Sequence, residues 1–336
     1  MKFYGDHRIR ALLWVAAGAA VVVGVGVMLA GGEAAATVSG AVRAASGAHW
    51  AVVPVVAALV VVHFWFSAVA LRGAAGRTMP LLHATLAQFT GATANRITGG
   101  GLGTVAVNAR YLTGRGMPAG RSVAVAGVLQ VGGAIADLLL FAVVVAVAVA
   151  AGDGALLSHV HVVSREVLVI GAVAVVAAGV AAWLLRARLR GPIEVCAEMA
   201  RRPRDLLVMM AASAATTLVM GVAFAVSMLA VPGAVSPGQI GTLIVVYMIG
   251  AAAGGVVPGP GGLGSTEAAL VALLAVAGVE TAAALSGVLI FRAITHWAPV
   301  PVGVLAAGTV RGRKAATVVA LPAREKQDAP VMAQAA

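Results

Sequence analysis

Six apolar runs long enough to cross a bilayer decide what this chain can become; they lie at about 11–30, 49–71, 122–151, 167–186, 205–231 and 283–309. A helix rises about 1.5 Å per residue, so roughly 20 apolar residues cover the ~30 Å hydrocarbon core of a membrane. A soluble core cannot hide so many. The chain is 61% hydrophobic and 10% charged, against about 45–50% and about 25% in soluble domains. Hydrocarbon offers no partner for backbone N–H and C=O groups, so helices that satisfy their own bonds are the economical solution. Two weaker stretches, 80–97 and 239–257, each run into a Gly-rich break. A short run follows each break, at about 102–116 and 265–278. The expected fold class is all-α: a polytopic transmembrane helix bundle of about eight spans plus short or re-entrant helices.

The first run follows Lys2, Arg8 and Arg10. At about 20 residues it exceeds the ~7–15 of a signal-peptide core, so it reads as a retained helix. The formal net charge is +11, but the charges sit in short loops between apolar spans. That pattern is the positive-inside rule and not a nucleic-acid surface. The single cysteine, Cys196, excludes an internal disulfide and has no neighbouring ligand residues. No metal site and no cofactor are expected.

The chain also repeats itself. Gly100-Gly101-Leu102-Gly103-Thr104 recurs as Gly261-Gly262-Leu263-Gly264-Ser265, and Gly127-Val128-Leu129 recurs as Gly287-Val288-Leu289, offsets of 161 and 160. The same shift maps each first-half span onto a second-half one. Basic loops alternate with weakly charged ones if each half holds five membrane elements, the short one included. Five is odd, so the second half enters from the opposite face: an inverted-topology repeat, the architecture of many transporters. The expected organisation is one transmembrane domain over 1–310, with halves of about 1–151 and 165–310, and a basic, disordered tail over 311–336. Both termini are expected in the cytoplasm of a plasma or inner membrane.

The strongest local signal is Val257-Pro258-Gly259-Pro260-Gly261-Gly262-Leu263-Gly264-Ser265-Thr266-Glu267. Its prolines and glycines break a helix. Ser265 or Thr266 can cap the short helix that follows, with Glu267 in its first turn. Two readings are open: a capped turn at the membrane surface, or a half-helix end near the midplane whose N–H groups meet an anion. Glu267 would fill or oppose such an anion site, and it can instead pair with an arginine or carry a proton.

Ionisable residues within apolar spans are costly and usually face a bundle interior. Asp137 and Arg292 are such residues, and His296 follows Arg292 at helical spacing. Arg96 and Arg110 flank the first Gly-rich break beside Asn95, Thr93 and Asn108. The plainer alternatives are snorkelling for Arg96 and Arg110, an ion pair of Arg292 with Glu267 or Asp137, and hydrogen-bonded packing for His296. His63, among Phe64, Trp65 and Phe66, reads as packing or interfacial anchoring.

From Pro258 to Gly303 the chain resembles the second signature of the lysylphosphatidylglycerol synthase transmembrane-region family, also called flippase-like. That signature is a Pro-x-Pro-Gly-Gly-x-Gly-x-x-Glu run, then a short helix, a Gly-Val (here Gly278-Val279) and a helix with Arg near its middle (here Arg292). The first signature, Asn95 to Asp137, is altered. Thr104 stands where relatives often have an acid, and the arginine they place near Gln130 to Gly133 is absent. The resemblance implies a lipid-handling membrane protein; in well-known relatives the domain moves an aminoacylated phospholipid between leaflets. Relatives often carry a soluble aminoacyl-transferase domain as well. About 25 residues follow the last span here, too few for one, so enzyme activity is not expected.

The expected function is translocation of a phospholipid or lipid-linked substrate with an anionic head group. The substrate-binding candidates are Arg292, Glu267, Arg96, Arg110, Asp137, His296, Ser265, Thr266, Pro258, Pro260, Gly261, Gly262 and Gly264. The alternatives are a non-transporting membrane partner of a separate glycosyl- or aminoacyl-transferase, and an integral-membrane transferase. The expected partners are membrane lipids, with a separate lipid-modifying or glycosyl-transferase as a further candidate, and not nucleic acid.

Overall fold

A computed structural model describes residues 32–98, 101–150, 190–256 and 264–310. The runs expected at 11–30 and 167–186, the residues Pro258, Pro260, Gly261 and Gly262, and the tail 311–336 lie outside the described residues.

Among the described residues the structure is helical, without strands. The first half contributes α1 (Gly32–Ser46), α2 (Val52–Ala75), α3 (Leu81–Thr98), α4 (Leu102–Thr113) and α5 (Ala119–Ala150). The second contributes α6 (Arg190–Ala200), α7 (Pro203–Leu229), α8 (Ile240–Val256), α9 (Ser265–Val276) and α10 (Thr281–Arg292). A π turn (Ala293–Trp297) and α11 (Pro299–Val310) continue α10. Four of these segments are long and apolar enough to cross a membrane: Val52–Ala75, Ala119–Val144, Pro203–Leu229 and Thr281–Gly308. The chain is an all-α polytopic bundle, as its hydropathy requires.

Local chemistry sets the boundaries. Gly76 ends α2 at φ 58°, sending its N–H back to the carbonyls of Arg72 and Gly73. A residue with a Cβ resists that left-handed conformation. Pro203 opens α7 at a position where a missing N–H costs nothing. The Glu280 carboxylate accepts from the N–H groups of Ala282 and Ala283, both at 3.3 Å, and so caps α10.

The halves repeat the same series: an amphipathic helix, a span, an arm of 18 or 17 residues, a helix of 12 residues and a second span. Each 12-residue helix starts after a positive-φ glycine, Gly101 (78°) or Gly264 (86°), and ends just before another, Gly116 (83°) or Gly278 (82°). Twelve residues rise about 18 Å, well short of the bilayer core. α4 folds back on α3, with Gly91 against Thr104, and α9 folds back on α8, with Gly250 against Leu270 and Leu273.

The repeat is inverted. The equivalent spans α2 and α7 pack against each other and run antiparallel. His49 N–H donates to the Ala230 carbonyl at one end, His63 meets the Thr216 carbonyl midway, and Gly73 lies on Asp205 and Met209 at the other end. Flanking contacts obey the same symmetry. α1 docks on α10, where Ser286 Oγ donates to the Ala41 carbonyl at 2.7 Å. Its counterpart α6 docks on α5 through Arg121 and Glu198.

The helix starts correct the register read from the Gly-rich motifs. The sequence match pairs Gly103 with Gly264, whereas the positive-φ glycines pair Gly101 with Gly264, an offset of 163. Gly103 instead lies inside α4, pressed on the backbone of Ala94 and Asn95 where no side chain fits.

Candidate functional site

The span that includes α10 does not continue as a plain α-helix. Ala298 N–H donates to the Ala293 carbonyl, five residues back, which is the π register. Pro299 and Pro301, which have no N–H to give, follow the turn, and the α register resumes at Pro299. Carbonyls of the turn are also met from another helix. Arg96, in the last turn of α3, donates from Nε to the His296 carbonyl at 2.6 Å and more distantly from Nη2 to the Thr295 carbonyl at 3.5 Å. Those bonds tie the edge of the first Gly-rich break to the middle of the last span.

The second break reaches the same turn. Glu267 uses both carboxylate oxygens. Oε2 accepts from Gly264 N–H at 2.7 Å and closes the N-terminus of α9, while Oε1 accepts from Arg292 Nε at 2.5 Å. The helix N-cap is therefore Gly264, and the capping carboxylate is Glu267; Ser265 and Thr266 are the first residues of the helix. Glu267 thus reaches back to the N–H of the N-cap residue, and its charge lies in the first turn, where the helix dipole favours it.

Beside this turn lies a cavity of about 220 Å³. α2 lines it with His63, Phe64 and Ser67, α3 with Gln88, Asn95 and Arg96, α4 with Thr104, and the π turn with His296. His63 is the twelfth residue of the 24-residue α2, about 17 Å from either end, so the cavity sits near mid-depth. Two atoms of residues that line it, Asn95 Oδ1 and His296 Nε2, are themselves buried and have no hydrogen-bond partner among the described residues. Arg96 and Arg292 outweigh the single carboxylate of Glu267, leaving local positive charge.

The model of the family described as lysylphosphatidylglycerol synthase TM region matches residues 15–303. The chain belongs to this family. A search of curated proteins gives no match.

Within this lysylphosphatidylglycerol synthase TM region the candidate residues separate into two groups. Arg96, Glu267, Arg292 and His296 meet around the π turn, with Gly264, Ser265 and Thr266 at the start of α9. Asp137 and Arg110 stand apart. Asp137 Oδ1 accepts from Thr217 Oγ1 at 2.5 Å, between α5 and α7, and does not line the cavity. Arg110 is exposed in the last turn of α4. Its neighbours Asn108, Ala109, Tyr111 and Leu112 are buried, so the helix turns residue 110 outward. The four residues at 258, 260, 261 and 262 lie outside the described residues.

The sequence does not single out Gln88 or Ser67, and His63 reads there as packing or interfacial anchoring. Spacing carries the missed signal. His63 and Ser67 are four apart, and Gln88 and Asn95 seven apart, so each pair shares one face of its helix.

Proposed function

We propose that this member of the family moves a phospholipid or lipid-linked substrate with an anionic head group between leaflets. The observation that carries the reading is Arg96. Its guanidinium lies on a polar mid-depth cavity, with no carboxylate partner among the described residues. Charge buried at that depth is costly and marks a substrate or ion pathway by default. The inverted repeat supports the same reading, because sites in such folds lie at the repeat interface and open by one half rocking against the other. On this reading the ends bearing Arg72, Arg77, Arg115, Arg121 and Arg201 to Arg204 face the cytoplasm of a plasma or inner membrane.

Reconstitution in vesicles with a fluorescent anionic phospholipid tests it, reading the leaflet exchange that a membrane-impermeant quencher reports. Arg96→Ala and Arg292→Ala are each expected to slow exchange at least tenfold. Wild-type rates in both variants would sink the proposal. The family description names a synthase, which favours a second reading: a membrane partner of a separate lipid-modifying or glycosyl-transferase. A stoichiometric enzyme co-purifying with a chain that exchanges no lipid would favour that alternative.

A further inference from the structure

Among the described residues that line the mid-depth cavity, Arg96 alone carries a permanent charge, and none is a carboxylate. Arg292 is near enough for its charge to act on Arg96. The carboxylates closest in depth are engaged elsewhere: Glu267 by Arg292 and Gly264 N–H, Asp137 by Thr217. Neither lines the cavity. Charges at that depth are screened less than at the surface, so a charged group entering the cavity meets this positive excess strongly.

α2 supplies a neutral part of the wall. His63 Nδ1 lies 3.2 Å from the Thr216 carbonyl, which can only accept, so Nδ1 carries the ring proton. In the neutral ring Nε2 is then an acceptor, and unlike Nε2 of His296 it is not an enclosed, unpaired atom. One turn further on, Ser67 Oγ donates to the His63 carbonyl at 3.0 Å. Its proton is spent and its lone pairs remain. Gln88 likewise commits an amide hydrogen to Asn108 Oδ1 at 2.9 Å. These side chains favour a partner that brings hydroxyl hydrogens. A water takes up about 30 Å³ in the liquid, so a cavity of about 220 Å³ holds roughly seven such volumes. That suits a phosphate ester of a three-carbon polyol and is too little for a chain of sugars.

We infer that the cavity selects a head group that is a phosphate ester of a small uncharged polyol, phosphoglycerol being the simplest, and rejects head groups that carry an ammonium. The phosphate pairs with Arg96, which has five N–H donors and uses only some of them on the carbonyls of the π turn. The polyol hydroxyls donate to His63 Nε2 and Ser67 Oγ. An ammonium can donate to the same acceptors, but it is repelled by Arg96 and Arg292 and finds no carboxylate on the described wall. The family description names a lysylated lipid, whose amino groups are of the rejected kind, so the cargo of this chain is set apart from it. The inference rests on the translocation reading for the role of the cavity and narrows it to one class of head group.

The probes are dihexanoyl phosphatidylglycerol and dihexanoyl phosphatidylethanolamine, titrated by calorimetry against the full chain in detergent. Wild type is expected to bind the glycerol lipid at least tenfold more tightly. Ser67→Glu places a carboxylate on the wall and should shrink that ratio below threefold. His63→Phe removes the ring acceptor and should weaken the glycerol lipid at least threefold. Arg110→Gln removes an exposed cation outside the cavity and should leave the ratio within twofold of wild type. Equal binding of the two lipids by wild type overturns the inference, as does binding of neither up to millimolar concentration. So does a ratio that Ser67→Glu leaves unchanged, or one that Arg110→Gln lowers as far as Ser67→Glu does. If Ser67→Glu fails to fold, the wild-type ratio and His63→Phe decide, with wild-type affinity in His63→Phe counting against the site. Selective binding without leaflet exchange of either lipid in vesicles leaves the selection standing and removes translocation. Exchange of both lipids at equal rates keeps translocation and overturns the selection.

Discussion

Arg292 Nε lies 2.5 Å from Glu267 Oε1, and the two side chains are 15% and 18% exposed. A pair so enclosed costs much to desolvate and gains stability mainly by being intact. The first turn of α9 and the end of α10 are thereby fixed to each other. Glu267→Ala removes the cap of α9 and leaves Arg292 without its carboxylate. The expected loss is about 3 kcal/mol, the low end of what breaking a buried pair costs. Arg292→Met added to Glu267→Ala should recover part of that loss, since no lone charge remains. Thermal unfolding in detergent measures both; a double variant less stable than the worse single one would contradict the account.

The contact of α2 with α7 depends on Gly73. A Cβ there would come within 2.8 Å of the Asp205 carbonyl oxygen and 2.9 Å of Met209 N, both backbone atoms that cannot yield. Gly73→Ala should therefore push the spans apart and cost about 1–3 kcal/mol. Gly127, inside α5, has nothing within 4 Å of the same position. Gly127→Ala should be neutral or gain up to about 1 kcal/mol from helix propensity. Equal melting temperatures for the two variants would count against the close approach.

Arg96 donates to two carbonyls of the last span from another helix. Arg96→Ala should remove that charge-assisted tie at a cost of about 1.5–3 kcal/mol. Arg96→Lys keeps the charge but not the planar fork that spans two carbonyls, and should recover only part of the loss. Thermal unfolding in detergent measures both; an Arg96→Ala variant as stable as wild type would count against the tie between the two helices.

At the basic end, the Arg121 guanidinium donates to Glu198 and holds its carboxyl below the ordinary glutamate range. A depressed folded-state pKa gives stability that is full above the unfolded value and lost as pH falls through the folded one. The docking of α6 on α5 should therefore be unaffected between pH 7 and about 5 and weaken below about 4.5. Amide exchange in α6, compared with Glu198→Gln, reads this directly. The two proteins should differ at neutral pH and converge in acid once the pH has fallen through the folded-state value; equal exchange in the two at neutral pH would argue against the ion pair. Because both side chains are 37% exposed, added salt should narrow the difference.

Much of the fold is legible in the sequence because lipid simplifies the code. Long uncharged runs leave only helices, and loop arginines alternate with the spans they flank. The register of the repeat is harder to read. Gly101, Gly103 and Gly264 look alike on the page, and only backbone conformation and the contact of Gly103 with Ala94 tell a helix start from a close approach. Arg96 and Arg110 flank the same break in the sequence and differ only in helix face. His63 reads from the sequence as packing or interfacial anchoring because its neighbours are aromatic, and only the third dimension brings it to the cavity that Arg96 also lines. Asp137 carries the expected cost of an intramembrane carboxylate, but its partner is Thr217, 80 residues away.

The antiparallel contact of α2 with α7 has an ancestry written into it. Two equivalent helices that meet face to face about a dyad form an isologous interface, like that of a homodimer. A single half of this chain therefore displays the surface that would receive a second copy inserted the other way up. A gene encoding one half, made in both orientations, would assemble across that face, and fusion of two copies would then fix what had been an equilibrium between subunits.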